Sequence, residues 1–301
     1  MDGSVNVLKP PGMTSSDVVV WLRRLLKLKR VGHTGTLDPG VAGVLPVCVG
    51  QATRVAEYFT GQGKAYRAEI TFGVTTDTQD AYGTVKSRRV PKLTAQNVEQ
   101  ILPRFRGVIT QVPPMYSSVR YQGKHLYEYA REGIEIERRG REVEIYSLAL
   151  SGWRDEEFPR AFLDVECSKG TYIRTLCHDI GEALGCGAYM SYLLRLRSGP
   201  FTLENSWTLE ELSERVEHND YSFLRSLPEG LDLPKADLEV QRVKAFLHGL
   251  SSAGHTVKGL STEGLTVQVF SDGRFLGIGV WREGKLYPHK VLALDNTPGG
   301  G

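Results

Sequence analysis

The chain has 301 residues, 41% of them hydrophobic and 24% charged, with 37 Lys plus Arg against 35 Asp plus Glu for a net charge of +2, the profile of a globular protein with one large domain and room for a smaller one. Its four cysteines form no CxxC pair, which excludes a zinc ribbon and weighs against a disulfide scaffold, and the opening MDGSVNVLKPPG lacks the charged-then-apolar order of a signal peptide. No uncharged apolar run approaches the roughly 20 residues of a membrane span, so a cytoplasmic protein with no membrane partner is expected.

In chain order, SVNVLK at residues 4–9 reads as a short strand stopped by Pro10-Pro11-Gly12. A helix follows, capped by Ser15 or Ser16, with Val18, Trp21, Leu22, Leu25 and Leu28 on its apolar face and Arg23, Arg24, Lys27 and Arg30 opposite. A Gly- and Pro-rich loop spans Gly32 to Gly43. AYRAEITFGV (65–74) and GTVKS (83–87) read as strands, and a helix begins near Thr94 with Leu93, Val98 and Ile101 on its buried side. AFLDVECSKGTYIRTL alternates as a strand does, then passes through Gly170 into a helix. An acidic helix and a connector containing Pro228 and Pro234 lead to a small β region, where TVQVF, FLGIGVW and YPHKVLAL are joined by Ser-Asp-Gly and Arg-Glu-Gly turns. The final NTPGGG reads as a frayed tail. Strands and helices do not alternate regularly, so the class is α+β rather than a doubly wound sheet.

The small net charge is a cancellation. Residues 1–200 carry 27 basic and 21 acidic side chains, residues 201–240 carry 3 and 10, and residues 241–301 carry 7 and 4. A basic body and a basic C-terminal part therefore flank an acidic join. Basic surfaces face phosphate in nucleic-acid-binding proteins, although an excess of this size also suits an ordinary solvated surface.

Motifs for cofactor and metal chemistry are missing. There is no P-loop, no G-x-G-x-x-G turn, no G-x-S-x-G elbow and no H-E-x-x-H. DTQDAYG fails as a calcium loop, since Ala81 stands at its fifth position and Arg88 where the closing Glu belongs. No cofactor and no metal ligands are expected. What is left is chemistry for carboxylate, phenol and guanidinium groups. In RVGHTGTLDPGVAGVLPVCVG, glycines permit close approach of the backbone to a ligand and Asp38 stands just before Pro39. Its carboxylate suits a nucleophile or base, or simply an Asp-Pro turn bonding its own backbone.

GHTGTLDPGVAGVLPVCVGQATR strongly resembles the signature of the TruB family of tRNA pseudouridine synthases. LKPPGMTSSDVV, KAYRAEITFGVTTDTQDAYG, VPPMYSSVRYQGKHLYEYAREG, KGTYIRTLCHDIG and the stretch ending RSGPF resemble the family's other motifs, in its order. Together they cover about residues 4–202. The resemblance implies a mixed, mainly antiparallel sheet of the pseudouridine synthase type with flanking helices over residues 1–229, a small β-rich PUA-like RNA-binding domain over 230–295, and a flexible tail at 296–301. It also implies isomerisation of the T-loop uridine of tRNA, usually called position 55, to pseudouridine without a cofactor.

By motif, Asp38 matches the catalytic aspartate; whether it attacks ribose or uracil, or first removes a sugar proton, stays open. Tyr66 matches the tyrosine that stacks on the target base and assists proton transfer at C5, and Arg174 the arginine that pairs with the aspartate. His33 matches a residue near the flipped nucleotide, Tyr172 and Leu193 residues lining the uracil pocket and Asp80 a position near the active site, while Lys9 either joins these substrate-binding residues or braces the catalytic loop through a charge contact. Segment 112–145 matches the region gripping the T arm of tRNA, where Arg120, Lys124, Arg138, Arg139 and Arg141 stand among Tyr116, Tyr121 and Tyr127. Leu194 departs from the family's Arg pair, with Arg195 and Arg197 as substitutes for that basic contact. A monomer needing no protein partner is the expected form. The alternatives are an RNA-binding protein that has lost the chemistry, and a guide-RNA-dependent relative acting on ribosomal RNA.

Overall fold

The computed structural model describes residues 1–259 and 262–292. Leu260, Ser261 and the C-terminal residues from 293, which include the expected tail, lie outside the described residues. The chain divides into two compact units. The first comprises Met1–Pro39, Val44–Gly61 and the chain from Gly199 onward, and the second Gly40–Gly43 with Gln62–Ser198.

The first unit opens on β1 (Gly3–Lys9), almost wholly buried. The helix α1 (Ser15–Leu25) follows, and its cap is Thr14, one residue before the expected serines. The Thr14 hydroxyl accepts from the Asp17 amide at 3.0 Å while the Asp17 carboxylate accepts from the Thr14 amide at 2.8 Å, a reciprocal capping box. Ser15 is instead buried inside the first turn. Val18, Val19 and Leu22 form the inward face, and Arg23, Arg24, Lys27 and Arg30 are exposed as expected. The hairpin of β2 (Val31–His33) and β3 (Ala42–Val49) brackets the Gly-Pro loop, pairing Gly32 with Cys48 and His33 with Val47. A short α2 (Ala56–Thr60) closes this stretch.

The second unit is built on β4 (Lys64–Phe72), which is buried at seven of its nine positions and has a strand on each side. From it the chain runs through the hairpin β5 (Val74–Thr76) and β6 (Val85–Arg88), then α3 (Ala95–Ile101), capped by Thr94 with Val98 buried. Next come β7 (Gly107–Gln111), a two-residue hairpin of β8 (Arg120–Tyr121) and β9 (Lys124–His125), and α4 (Leu126–Arg131). The long β10 (Arg141–Arg154), β11 (Arg160–Cys167), α5 (Ile173–Ala183) and β12 (Ala188–Ser198) complete it. Its strands lie in the order β12-β4-β11-β10-β7, antiparallel throughout, and Ala42 and Gly43 at the start of β3 run parallel to Leu194 and Arg195 of β12.

Back in the first unit, β13 (Phe201–Thr202) precedes the acidic helix α6 (Leu209–Glu217), which Thr208 caps, and β14 (Leu224–Arg225) pairs with β1. A six-stranded sheet follows, from β15 (Lys235–Leu238), β16 (Ser252–Ala253), β17 (Val257–Gly259), β18 (Thr266–Ser271), β19 (Arg274–Arg282) and β20 (Lys285–Val291), with α7 (Val243–Leu247) packed on β20. The two hairpin turns expected from sequence are present. Asp272-Gly273 and Glu283-Gly284 all have positive φ, between 50° and 73°, which matches the twist of the strands they join. One face of this sheet encloses Ala236, Phe246, Val269 and Trp281. Phe275, Ile278 and Leu292 instead share a core with Val44, Cys48, Phe59, Phe201 and Leu231. The α+β class with a β-rich C-terminal part is thus the observed one.

Candidate active site

In the first unit the Asp38 loop is braced on both sides of the aspartate. Leu37, before it, donates its amide to the Ser15 hydroxyl at 2.8 Å, and that hydroxyl donates to the Leu37 carbonyl at 3.2 Å. The carbonyl of Pro39, after it, accepts from the Gly12 amide at 2.8 Å and from the Lys9 ammonium at 3.2 Å. Lys9 is fully buried and also donates to the carbonyls of Pro10 and Met13, at 2.8 and 2.6 Å. The Pro10-Pro11-Gly12 stop and the first turn of α1 therefore fix the backbone that carries Asp38, while the Asp38 side chain is half-buried. Thr34 adds two bonds to the Pro46 carbonyl at the root of the loop. His33, also half-buried, ends β2.

The second unit presents its site residues from β4, β12 and the N-terminus of α5. Tyr66 on β4 stands opposite Arg195 on β12, and Ala68 opposite Leu193. Residues directly opposed in an antiparallel pair share a face of the sheet, so Tyr66, Leu193 and Arg195 lie on the same side. Tyr66 and Leu193 are each 7% exposed.

Arg174, one residue into α5, forms a buried ion pair with Asp80 at 3.4 Å. Its guanidinium also donates to the carbonyls of Thr78 at 3.2 Å and Tyr116 at 2.8 Å. Asp80 in turn accepts from the Thr78 hydroxyl at 2.6 Å and the Tyr82 amide at 3.0 Å. Arg174 thereby ties three separate stretches of the chain together.

Tyr172, the cap residue of α5, is clamped through its backbone by Gln111. The Gln111 amide group donates to the Tyr172 carbonyl at 3.2 Å and accepts from the Tyr172 amide at 3.0 Å. Sequence reasoning missed Gln111, and nothing in a lone Gln at a strand end announces such a clamp.

In segment 112–145 the five basic residues divide. Arg120, Arg139 and Arg141 are exposed. Lys124 is ion-paired with Glu132 and sits 4.8 Å from the Tyr129 ring centroid, and Arg138 binds the Pro113 carbonyl and Glu135.

One expectation needs correction. Arg197 is half-buried and paired with Glu166 at 3.2 Å, but Arg195 is 1% exposed and cannot serve as a surface contact. The reason is its strand: β12 has β4 on one side and the start of β3 on the other, so a residue on its inward face has no route to solvent. Burial also acts on Lys64, at the start of β4. Desolvation, with the nearby Arg195 charge, pulls its ammonium down to about 8 from an ordinary 10.5.

Three family models cover the chain in sequence. Residues 23–173 match the TruB family pseudouridylate synthase N-terminal domain, 174–232 the tRNA pseudouridylate synthase B C-terminal domain, and 234–292 the pseudouridine synthase II TruB C-terminal domain. The chain belongs to the TruB family of pseudouridine synthases.

It is 53% identical over 257 residues to the tRNA pseudouridine synthase B of Symbiobacterium thermophilum, covering 84% of each protein. Identity to the Heliobacterium mobile protein of the same name is 45%, over 99% of this chain and 97% of that one. A solved structure of an H/ACA RNP bound to a substrate RNA containing 2'-deoxyuridine shares the fold, with a TM-score of 0.73 at 28% identity over 96% of this chain and 84% of that one. Among the described residues no cluster of three His, Cys, Asp or Glu side chains is placed to hold a metal ion, and no helix is long and apolar enough to cross a membrane.

The Lys64 environment of this TruB-family chain makes a stability prediction. The folded chain releases the Lys64 proton near pH 8 and the unfolded chain near 10.5, so between these values the unfolded state binds more protons and stability rises with pH. Lys64→Met lacks this term. Denaturant unfolding at pH 7, 8, 9 and 10 will show wild type gaining on the variant above pH 8, and a constant difference would contradict it. The comparison cancels most of the opposing effect of the buried thiols of Cys48, Cys167 and Cys177, which burial pushes up to about 12, 11 and 12.

Proposed function

We propose that this isomerase converts the T-loop uridine of tRNA, position 55, to pseudouridine, and that it does so in the cytoplasm as a monomer without guide RNA or partner protein. The observation that carries this reading is the match along nearly the whole length of proteins named tRNA pseudouridine synthase B, C-terminal domain included.

In the proposed reaction the target nucleotide is first extruded from its loop, at a cost of a few kcal/mol. Tyr172 and Leu193 line the uracil pocket, and His33 takes up space beside the flipped nucleotide. The Asp38 carboxylate, as nucleophile or base, acts where the N1–C1′ bond breaks, and the C5–C1′ bond then forms on the other edge of the base. Tyr66 accepts the proton that leaves C5, and N1 gains a proton, so substrate and product have the same composition. Arg174 keeps the Asp38 carboxylate ionised as the base closes over it, since a nearby cation favours the charged form. Asp80 holds Arg174, and Lys9 holds the loop. Segment 112–145 grips the T arm through Arg120, Lys124, Arg138, Arg139 and Arg141, and residues 230–295 act as a PUA-like domain on the same tRNA. The exposure of Arg120, Arg139 and Arg141 supports phosphate contact there.

Purified protein incubated with unmodified tRNA and no guide will place pseudouridine at the T-loop uridine. Conversion that appears only when a guide RNA and partner proteins are added supports the guide-dependent alternative instead. Binding will weaken linearly in log Kd against log salt with a slope of several units, because each phosphate contact releases counterions. A flat affinity between 50 and 200 mM salt, the range over which such contacts lose about 10³–10⁵ in affinity, would contradict the phosphate-gripping surface.

A further inference from the structure

We infer that Arg195 is a positioning residue for catalysis, holding the Tyr66 phenol where it receives the C5 proton; the inference rests on the proposed role of Tyr66. Arg195 is the largest fully buried side chain among the described residues. A buried guanidinium is costly, and an apolar side chain of similar volume is commonly neutral or stabilising in its place. Packing alone is therefore a poor reason for an arginine here.

Its surroundings point to Tyr66. The two residues are direct cross-strand partners on one face of the sheet, so the Arg195 side chain lies beside the Tyr66 ring. The register of β12 against β4 is interrupted immediately after Arg195 by a β-bulge before Arg197, a device that re-aims a side chain. On its other side, Arg195 pairs with Gly43, whose φ is +119°. A Cβ on Gly43 would lie 2.3 Å from the Arg195 carbonyl oxygen, so a glycine is required for the backbone of Arg195 to sit where it does. Three local features thus fix this one side chain against the phenol.

The chemistry follows from the donor. A guanidinium has only N–H groups to offer, so toward the phenol oxygen it can only donate, leaving that oxygen's remaining lone pairs for a proton. A cation beside that oxygen favours the ionised phenol over the neutral one. With the phenol's own proton passed to N1 of the base, the C5–H bond breaks with its electron pair returning to the ring, and that proton passes to the ionised Tyr66 oxygen and restores the phenol. Burial depresses the Arg195 pKa, and the opposing influences come from Tyr66, by charge and by hydrogen bond.

The test is a double-mutant cycle in single-turnover kinetics on tRNA, using Arg195→Met, Tyr66→Phe and both together. Arg195→Met is expected to slow the chemical step by about 10²-fold, the lower end for loss of an acid–base group, with tRNA affinity unchanged. Arg195→Lys should restore most of that loss. In the Tyr66→Phe background Arg195→Met should cause no further loss, because its target oxygen is already gone. With uridine deuterated at C5, the isotope effect should rise in Arg195→Met as proton removal becomes slower. If Tyr66→Phe is impaired and the double variant is slower still by the full factor of Arg195→Met, the positioning role of Arg195 is overturned while that of Tyr66 stands. If Tyr66→Phe itself retains the wild-type rate, the reading of Tyr66 falls, and this inference with it. Should Arg195→Met fail to fold, Arg195→Gln in both backgrounds carries the same cycle, with Arg195→Lys as its rescue.

Discussion

Asp38→Asn is expected to reduce pseudouridine formation by a factor on the order of 10⁴ or more, the scale seen when a nucleophile is removed from an enzyme. Asparagine has the shape of aspartate but neither its charge nor its basicity, so it can neither attack a carbon nor take a proton. The substitution should leave the loop intact. Every brace described around it acts on the backbone of a neighbour: Ser15 on Leu37, and Gly12 and Lys9 on Pro39. The tRNA affinity of the variant should agree with wild type within about threefold because phosphate contacts dominate binding. Mapping pseudouridine after incubation of each protein with unmodified tRNA reads the first effect, and filter binding reads the second. Substantial conversion by Asp38→Asn would remove Asp38 from the chemistry. Failure of both proteins to convert uridine while binding tRNA would favour the RNA-binding alternative.

The contrast between that loop and Arg195 shows what a linear sequence conveys here. The Pro-Pro-Gly stop after β1, the alternation in β11 and the Asp-Gly and Glu-Gly turns are local, because each depends on residues next to one another. They were legible for that reason. The cap of α1 was misplaced by one position because Thr14, Ser15 and Ser16 all carry the necessary hydroxyl. Only the buried bonds from Ser15 to Leu37, 22 residues away, decide which of them is free to cap. Arg195 was misread as a surface residue for a related reason. In SYLLRLRS, Arg195 and Arg197 look equivalent, yet the bulge between them and the neighbours on both sides of β12 bury the first and leave the second paired with Glu166. The Gln111 clamp spans 61 residues and has no local sign at all. The Lys9 and Arg174 motifs could be matched to roles by resemblance, but their partners, carbonyls as often as carboxylates, are visible only in the fold.

Arg174→Met is expected to destabilise the protein by about 3–5 kcal/mol, the cost of removing one member of a buried ion pair. The Asp80 carboxylate would keep the Thr78 hydroxyl and the Tyr82 amide but lose its cation, and the carbonyls of Thr78 and Tyr116 would each lose a donor. The side chains of the pair are only 7% and 11% exposed, so water does little to replace what is lost. Arg174→Lys should not rescue fully. A lysine supplies charge from a single point, whereas the arginine fork reaches Asp80, Thr78 and Tyr116 at once. Adding Asp80→Asn to Arg174→Met removes the stranded charge, so the double variant should recover part of the lost stability. Its activity should not recover, because Asp38 still lacks the cation proposed to keep it ionised. Urea unfolding of wild type, Arg174→Met, Asp80→Asn and the double variant gives the stability cycle, and single-turnover kinetics on tRNA gives the activity. If the double variant regains stability and activity together, Arg174 is a structural staple alone. If stability returns while the rate stays at least about 10²-fold down, the scale of a lost group in acid–base catalysis, Arg174 serves the aspartate as well as the fold.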